Sequence, residues 1–594
     1  MRLIKRSQDR GYLDTWLWVP KRFINSEGTK KALTFVFHDG YSQDGIKMLY
    51  LWKETEHHIL VPRSFWRTAD LPFEVVDCRP MQYTAAKIQS RVKLDHRWRE
   101  VDGQKVLMPT GGDVQQKSLD AMLASQGGVL QLACGKGKTV IALDLIAKLG
   151  LPTIVIVDNT HLLKQWQGDI EEMLDVPEGV GLIQADKFDW KKPIVMATYQ
   201  TIAARADSLS EEVRRWFGVV VWDEAHHVAA PTFAKSADLF YGRRYGLTAT
   251  PIREDGLHII YNFHIGPVLF KDLSQDLKPK VIFKWTGLEV DETDPQVNIR
   301  DKNREVHLSK LAVYYGKWRQ RLDLLLGDIH AAVTSGRRKI MVLSTSVDAA
   351  VNMLALWTDP NCSQLYTDIP VPIPLEVGET LNPLFLAPRE RKKKMRLLAS
   401  VKDQLAVKGV HPHKVLELQS REQQLAQVLR QCEVQDKVLQ ELRRRERKYL
   451  KELLAKPSTG GLMIHDVSAD TRMKFVEEKQ IIFAVMKYGR EGLDCPELDT
   501  VLVYDPFSSK NALQQLMGRP SRETYWNKSP IVMFYEDNVG QIIGMCRKLK
   551  KHLKNWPHEE SGPFDYELIG YPHQIGKKWQ KTEQGQIFGQ VTGQ

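Results

Sequence analysis

Two clusters of residues have the types and spacing that chemistry on a phosphate requires. The first is Ala133-Cys134-Gly135-Lys136-Gly137-Lys138-Thr139, which follows the apolar run Val129-Leu130-Gln131-Leu132 and opens a stretch that reads as a helix. Successive backbone N–H groups in such a loop, Gly135 and Gly137 among them, can cradle a phosphate with help from the helix N-terminus. Lys138 would then reach the β- and γ-phosphates of a nucleoside triphosphate such as ATP, and Thr139 would offer its hydroxyl to Mg2+. Leu132 stands where the usual eight-residue pattern has its first glycine, so the loop is a variant form. The second cluster, Asp223-Glu224-Ala225-His226, ends the run Val219-Val220-Val221-Trp222. A carboxylate there faces the C-terminal edge of a parallel sheet, where ligands bind in open α/β folds. Asp223 would hold Mg2+, and Glu224 would orient and deprotonate an attacking water. Two acids in a surface loop look the same in isolation; their place after a buried strand, downstream of a phosphate loop, favours the nucleotide reading.

Such residues need a sheet to hold them. From 106 to 275 short apolar strands, Thr153-Ile154-Val155-Ile156-Val157 and Ile194-Val195-Met196-Ala197 among them, alternate with amphipathic stretches. That alternation predicts a parallel α/β sheet. A second unit of the same kind covers 305–360 and 461–555, with strands at Ile340–Ser344, Leu462–His465, Ile481–Val485, Thr500–Tyr504 and Ile531–Tyr535. Residues 276–304 read as a linker and 556–594 as a tail. Residues 1–105, with β-prone runs around Trp16, Phe35 and Leu49 punctuated by Gly40, Gly45 and Pro62, read as a β-rich accessory domain.

The motif set resembles that of superfamily 2 helicases, and Asp223 to Gly256 (DEAHHVAAPTF, then GLTATPIREDG) is similar to the XPB-like and UvsW-like DNA helicases. The resemblance implies two tandem RecA-like domains with ATP hydrolysed between them. It implies that Gln115 reads adenine and that Gly489-Arg490-Glu491-Gly492-Leu493-Asp494 is motif V, with Gly492 and Asp494 at the nucleotide. Gln515-Leu516-Met517-Gly518-Arg519-Pro520-Ser521-Arg522 resembles motif VI, in which Gln515, Arg519 and Arg522 serve catalysis, the arginines crossing the cleft to the γ-phosphate. Thr248-Ala249-Thr250 resembles the link between hydrolysis and strand movement. Nucleic-acid contacts are implied for Thr160, Gln165 and Trp166, for Thr198, Gln200 and Thr201, for Ser344 and Thr345, and for Arg253 of an Arg253-Glu254-Asp255 motif. The partner implied is DNA, single-stranded, forked or branched, with RNA left open; the activity implied is 3′-to-5′ unwinding or remodelling in repair or recombination. A motor subunit of a restriction or defence complex is the other reading.

Residues 361–460 interrupt the second unit. A proline-rich stretch, Ile369–Pro374, leads into two helical segments split at Gly409–Pro412, and Leu418, Leu425, Cys432, Leu439 and Leu453 share a heptad phase. This predicts an antiparallel helical hairpin or coiled coil. The net charge is +11, and residues 387–456 hold 19 Lys and Arg against 9 Asp and Glu, nearly the whole excess. Such an arm could bind duplex phosphates or dock a protein. The N-terminal tryptophans could stack on bases or fill a small core. Six cysteines without a CxxC pair suggest neither a zinc ribbon nor a redox dithiol, and no apolar run of membrane-spanning length occurs. The expected location is the cytosol, or a host's cytosol for a viral chain.

Overall fold

The computed structural model describes residues 7–38, 46–80, 83–101, 104–229, 236–249, 259–274, 277–290, 297, 299–300, 306–369, 395, 397–398, 401, 412–490, 495, 497–522, 524, 528–556 and 563–571. Two large sheets dominate. Numbering their strands in chain order, the first holds β1 (Gly127–Leu132), β2 (Thr153–Val157), β3 (Val180–Gln184), β4 (Lys187–Phe188), β5 (Ile194–Thr198), β6 (Val219–Trp222), β7 (Arg243–Thr248) and β8 (Val268–Asp272). Their spatial order is β4-β3-β5-β2-β6-β7-β1-β8. Every pairing is parallel except the β3–β4 hairpin. The central strands are β-branched and wholly buried, as parallel strands covered by helices on both faces must be.

The second sheet holds β9 (Lys280–Trp285), β10 (Ile340–Ser344), β11 (Gly460–Met463), β12 (Ile481–Val485), β13 (Thr500–Val503), β14 (Ile531–Glu536) and β15 (Tyr566–Ile569). It is all parallel, in the order β11-β12-β10-β13-β14-β9-β15. Two expected boundaries are corrected here. Residues 280–285 are not linker, because β9 pairs with β14 and β15, and residues 566–569 are not tail, because they close the sheet edge. β9 pairs with a strand some 250 residues on and β15 follows the last motif, so nothing local assigned either to this sheet.

The N-terminal unit is β-rich as expected. Its five-stranded sheet runs from Lys53–Glu54 through His58–Val61, Leu17–Pro20 and Gly11–Leu13 to Val75–Asp77, with a separate Thr34–His38/Ile46–Tyr50 hairpin. Trp16 is buried and Trp18, Trp52 and Trp66 are half-buried, so these rings fill a core. The unit is fastened to the first lobe: Arg63 donates to Tyr241 O (3.0 Å) and Gly242 O (2.8 Å), and the wholly buried Arg244 donates to Thr15 O (2.9 Å) and His264 O (2.9 Å). The 1–105 boundary also shifts, since Ala86, Ile88, Val92 and Leu94 pack into the first lobe's core.

The longest described helix of the interruption is Pro412–Ala455, of 44 residues. At 1.5 Å per residue it is about 66 Å long. Val401 and Leu398 pack on its Leu418 and Leu425; most of the rest of the first helical segment of the expected hairpin lies outside the described residues. Leu450 and Leu453 belong to the second lobe's core, and Tyr449 donates to Gln364 O (3.1 Å). The Ile369–Pro374 connector lies almost wholly outside the described residues.

Candidate nucleotide site between the lobes

Five helices that follow strands at the C-terminal edges start on a side-chain cap, one of them Ala469–Glu478, where Ser468 accepts from Thr471 N. Asn159 accepts from His161 N and Leu162 N, Thr198 from Thr201 N, Ser346 from Ala349 N and Ser509 from Ala512 N. The helix Lys138–Leu149 starts differently. Its cap is Gly137, left-handed at φ 79°, with no side-chain hydrogen bond, so the first N–H groups face the loop without a capping oxygen. Gly135 is also left-handed, at φ 86°. Lys138 Nζ donates to Leu132 O (3.1 Å) and Ala133 O (3.3 Å), folding its ammonium over the loop. Thr139 sits half-buried at the second helical position. Lys136 pairs with Asp272 (3.4 Å), tying the loop to the end of β8.

Gln115 lies against this loop: its Nε2 donates to Lys136 O (3.3 Å), and its Oε1 accepts from Asp95 N (2.6 Å). The Asp95 carboxylate in turn accepts from Gln115 N and Gln116 N, both at 3.0 Å, capping the helix Val114–Leu123 from a distance in sequence. Sequence reading missed Asp95, because nothing local marks a cap twenty residues upstream.

Asp223 and Glu224 follow β6. Asp223 Oδ1 accepts from Glu224 N (2.9 Å) and Oδ2 from Trp166 Nε1 (2.9 Å). Burial pushes the Asp223 carboxyl above its usual range, and the charge on Glu224 adds to this against the opposing pull of Trp166 and Lys138. Burial acts the same way on Glu224 but is outweighed by His226, Lys138 and His227, which hold it below the usual range. The two neighbouring acids are thus pushed in opposite directions, Asp223 upward and Glu224 downward. His226 Nδ1 lies 3.4 Å from Glu224 Oε2 and 3.3 Å from Thr248 Oγ1, so the acid is linked to the end of β7. Among the described residues Glu224 is one of three non-glycine residues with positive φ, at 47°, which turns the chain sharply after the strand.

The other lobe supplies the opposite wall. The helix Lys510–Gly518 and the residues after it lie on the phosphate loop: a Cβ built on Gly135 would meet Arg522 Cγ at 2.7 Å, and one built on Gly518 would meet Cys134 Cβ at 2.8 Å. Arg522 lies within electrostatic reach of Cys134, Asp169 and Glu224, although burial is the largest influence on it. Arg519 and Gln515 are buried beside it. Lys164 of the first lobe pairs with Asp470 of the second.

The residues expected to touch nucleic acid divide. Thr160, Gln200 and Thr345 are exposed at the ends of β2, β5 and β10, and Gln165 and Thr201 are half-buried nearby in sequence. Three others are corrected. Trp166 is only 1% exposed and is bonded to Asp223. Thr198 is buried and spends its hydroxyl on Thr201. Ser344 is buried and donates to Asp505 (2.6 Å), which also accepts from Thr345 N (2.7 Å). Thr198 and Ser344 turn inward because alternate side chains at a strand's end point back into the layer, and helical spacing turns Trp166 to the buried face of its helix. Asp505 could have been found by the signal that found Asp223, a carboxylate closing an apolar strand. Arg253, Gly492 and Asp494 lie outside the described residues.

Residues 109–253 match the family described as type III restriction enzyme, res subunit. A DNA 3′-5′ translocase XPB2 of Sulfurisphaera tokodaii is 32% identical over 174 residues, 29% of this chain and 38% of that protein. The first lobe is thus similar in sequence to XPB-type DNA 3′-5′ helicases and translocases. A DNA 3′-5′ helicase XPB of Mycobacterium tuberculosis is 34% identical over 149 residues, 24% of this chain and 27% of that protein. The helicase/translocase subunit XPB of general transcription and DNA repair factor IIH of Encephalitozoon cuniculi is 32% identical over 186 residues, 28% of each chain. The matched region thus spans about a third of the curated relatives. The solved S. cerevisiae Dbp5 bound to RNA and ADP BeF3 superposes at TM-score 0.43 and 9% identity, covering 77% of this chain and 89% of that one.

Proposed function

We propose that the chain is an ATP-dependent DNA helicase or translocase that hydrolyses ATP in the cleft between its lobes and moves along DNA in repair, recombination, or fork or branch processing. One observation carries this reading: Arg522 of the second lobe packs directly on Gly135 of the phosphate loop, within electrostatic reach of Glu224. Lys138 and the loop amides would bind the phosphates, and Gln115 the adenine. Glu224, held anionic, would orient and deprotonate water, while Arg519 and Arg522 would stabilise charge developing on the γ-phosphate. Because those arginines sit on the other lobe, hydrolysis requires a closed cleft.

The donors present suit Mg2+: the Asp223 carboxylate and the Thr139 hydroxyl are hard oxygens. No cluster of three His, Cys, Asp or Glu suited to another metal occurs among the described residues. Bound there, Mg2+ would neutralise phosphate charge. Exposed Thr160, Gln200 and Thr345, at the C-terminal edges of both sheets, would meet the DNA backbone. The basic run Arg443 to Lys448, at the lobe-proximal end of the long helix, would add duplex phosphate contacts; docking a protein is the alternative for that arm. Among the described residues no helix is long and apolar enough to cross a membrane; a cytosolic location is part of the same proposal.

The test is an ATPase assay with single-stranded DNA, forked DNA, four-way junctions and RNA, with Lys138→Ala as control. Stimulation by DNA supports the reading, and stimulation by RNA alone overturns it. The family description of the first lobe favours, as a second reading, a motor subunit of a restriction complex; a nuclease or methyltransferase partner on purification would select it.

A further inference from the structure

Asp223 is held by two aromatic donors that come from two different helices. Trp166, on the helix Thr160–Met173, donates its indole N–H to Oδ2 at 2.9 Å, and both groups are buried. Tyr199, the first residue of the helix Tyr199–Arg205, donates its hydroxyl to the Asp223 carbonyl oxygen, also at 2.9 Å. Tyr199 is fully buried too. A third bond, Asp223 N to Ile156 O (3.0 Å), anchors the backbone to β2. Both helices begin at segments whose exposed residues, Thr160 and Gln200, lie at the sheet edge assigned to the DNA backbone. The first helix also carries Lys164, which pairs with Asp470 across the cleft.

We propose that Trp166 and Tyr199 are positioning residues that set the Asp223 carboxylate for Mg2+ and transmit DNA engagement to it through the first lobe. Each side chain ends in one polar atom, each atom points at Asp223, and each helix has its opposite duty at its exposed start. A shift of the first helix moves the indole and with it the carboxylate, and a shift of the second moves the Asp223 carbonyl and so the backbone that carries that carboxylate, because a buried acceptor follows its partner rather than stay unsatisfied. This route lies within one lobe and ends on Asp223, whereas the His226 bridge joins Glu224 to Thr248; the His227 ring, 6.0 Å from the Tyr199 ring and 4.4 Å from the His226 ring, lies between the two. The coupling half of the inference rests on the proposed DNA-driven function; the positioning half does not.

Trp166→Phe deletes the indole N–H, and Tyr199→Phe deletes only a hydroxyl. Affinity for a non-hydrolysable ATP analogue is measured by fluorescence titration in Mg2+ and in EDTA, and ATPase rate with and without forked DNA. The gain in affinity that Mg2+ confers is expected to fall about tenfold in Trp166→Phe, where the deleted bond reaches a carboxylate, and about fivefold in Tyr199→Phe, where it reaches a neutral carbonyl. Affinity in EDTA should stay at the wild-type level, which also reports an intact fold, and the ratio of DNA-stimulated to unstimulated rate should drop in both. Wild-type Mg2+ gain and wild-type stimulation in both variants would overturn the proposal. If Trp166→Phe loses affinity in EDTA as well, Tyr199→Phe decides alone. A wild-type protein that no DNA stimulates removes the function reading and the coupling, while the Mg2+ titration still judges the positioning.

Discussion

Replacing Gly518 with alanine separates cleft closure from folding, because the two respond with opposite sign. Gly518 ends the helix Lys510–Gly518, and within the second lobe alone alanine is the better helix former by about 1 kcal/mol. Across the cleft the new methyl would lie 2.8 Å from Cys134 Cβ and 3.1 Å from its Sγ. Carbon atoms prefer about 3.5–4.0 Å, so the lobes must part by roughly 1 Å. Neither Cβ can rotate away, since each is fixed to its backbone. Overpacking of this kind costs about 1–3 kcal/mol, which lowers the closed population about 5- to 150-fold. Arg522 follows on the same segment, so it retreats from the phosphate loop with the helix. The expected result in a DNA-stimulated ATPase assay is a loss of about tenfold or more in kcat/KM, with Tm held or raised. Cys134→Gly removes the opposing Cβ, and the double variant should recover most of the loss. Full activity in Gly518→Ala would refute the idea that hydrolysis uses the closed cleft described above, and so would a double variant as impaired as the single one.

Further expectations concern the accessory parts. His264 is 2% exposed at the junction with the N-terminal unit, edge-on to Trp16, and burial lowers its pKa to about 4. Its folded pKa lies below the unfolded value, so the unfolded chain takes up the proton first, and stability should fall as pH drops from about 6.5 towards 4, by roughly 3 kcal/mol in all. Denaturant unfolding at pH 7 and 5 measures this, and His264→Gln should flatten the dependence. Arg244→Ala leaves the carbonyls of Thr15, Phe240 and His264 without their shared donor and should destabilise the first lobe by about 3 kcal/mol, read as a lower Tm and faster proteolysis of the N-terminal unit. Changing Arg443, Arg444, Arg447 and Lys448 together to Gln should flatten the salt dependence of DNA binding by about 0.9 in log–log slope for each phosphate no longer neutralised. An unchanged slope would assign that helix to a protein partner instead.

The catalytic half of the site was legible because its residues are local. A phosphate loop needs consecutive N–H groups, and an acid pair needs one strand end, so Gly135 to Thr139 and Asp223-Glu224 announce themselves within a few positions. The second large sheet was partly legible for the same reason: Ile340–Ser344 and Thr500–Val503 are continuous apolar runs. What was hidden depends on distance in sequence. Asp95 caps a helix twenty residues on, β9 joins β14 across some two hundred and fifty residues, and Trp166 finds Asp223 fifty-seven residues away. Trp166 is the instructive case. Its neighbours Thr160 and Gln165 suggest a shared surface, but helical spacing turns the indole to the buried face, where burial alone requires an N–H acceptor. A buried tryptophan on a track helix raises the question of which acceptor it serves, and here that acceptor is the acid suited to Mg2+.

The fastening of the accessory parts also limits what cleft closure can do mechanically. Arg63 and Arg244 lock the N-terminal unit to the first lobe through backbone carbonyls, so that unit moves with the phosphate loop. Leu450 and Leu453 root the long helix in the core of the second lobe, so it moves with Arg522. Any rotation that brings Arg522 onto or off the loop therefore changes the angle between the N-terminal unit and the helix. Over a length of about 66 Å, a rotation of about 10° displaces the far end by about 11 Å, roughly the rise of three base pairs. The displacement at the far end grows with the length of the helix, so a small rotation at the cleft is multiplied there. A rigid root is what such amplification requires, and a flexibly linked helix of the same length and charge would lose it.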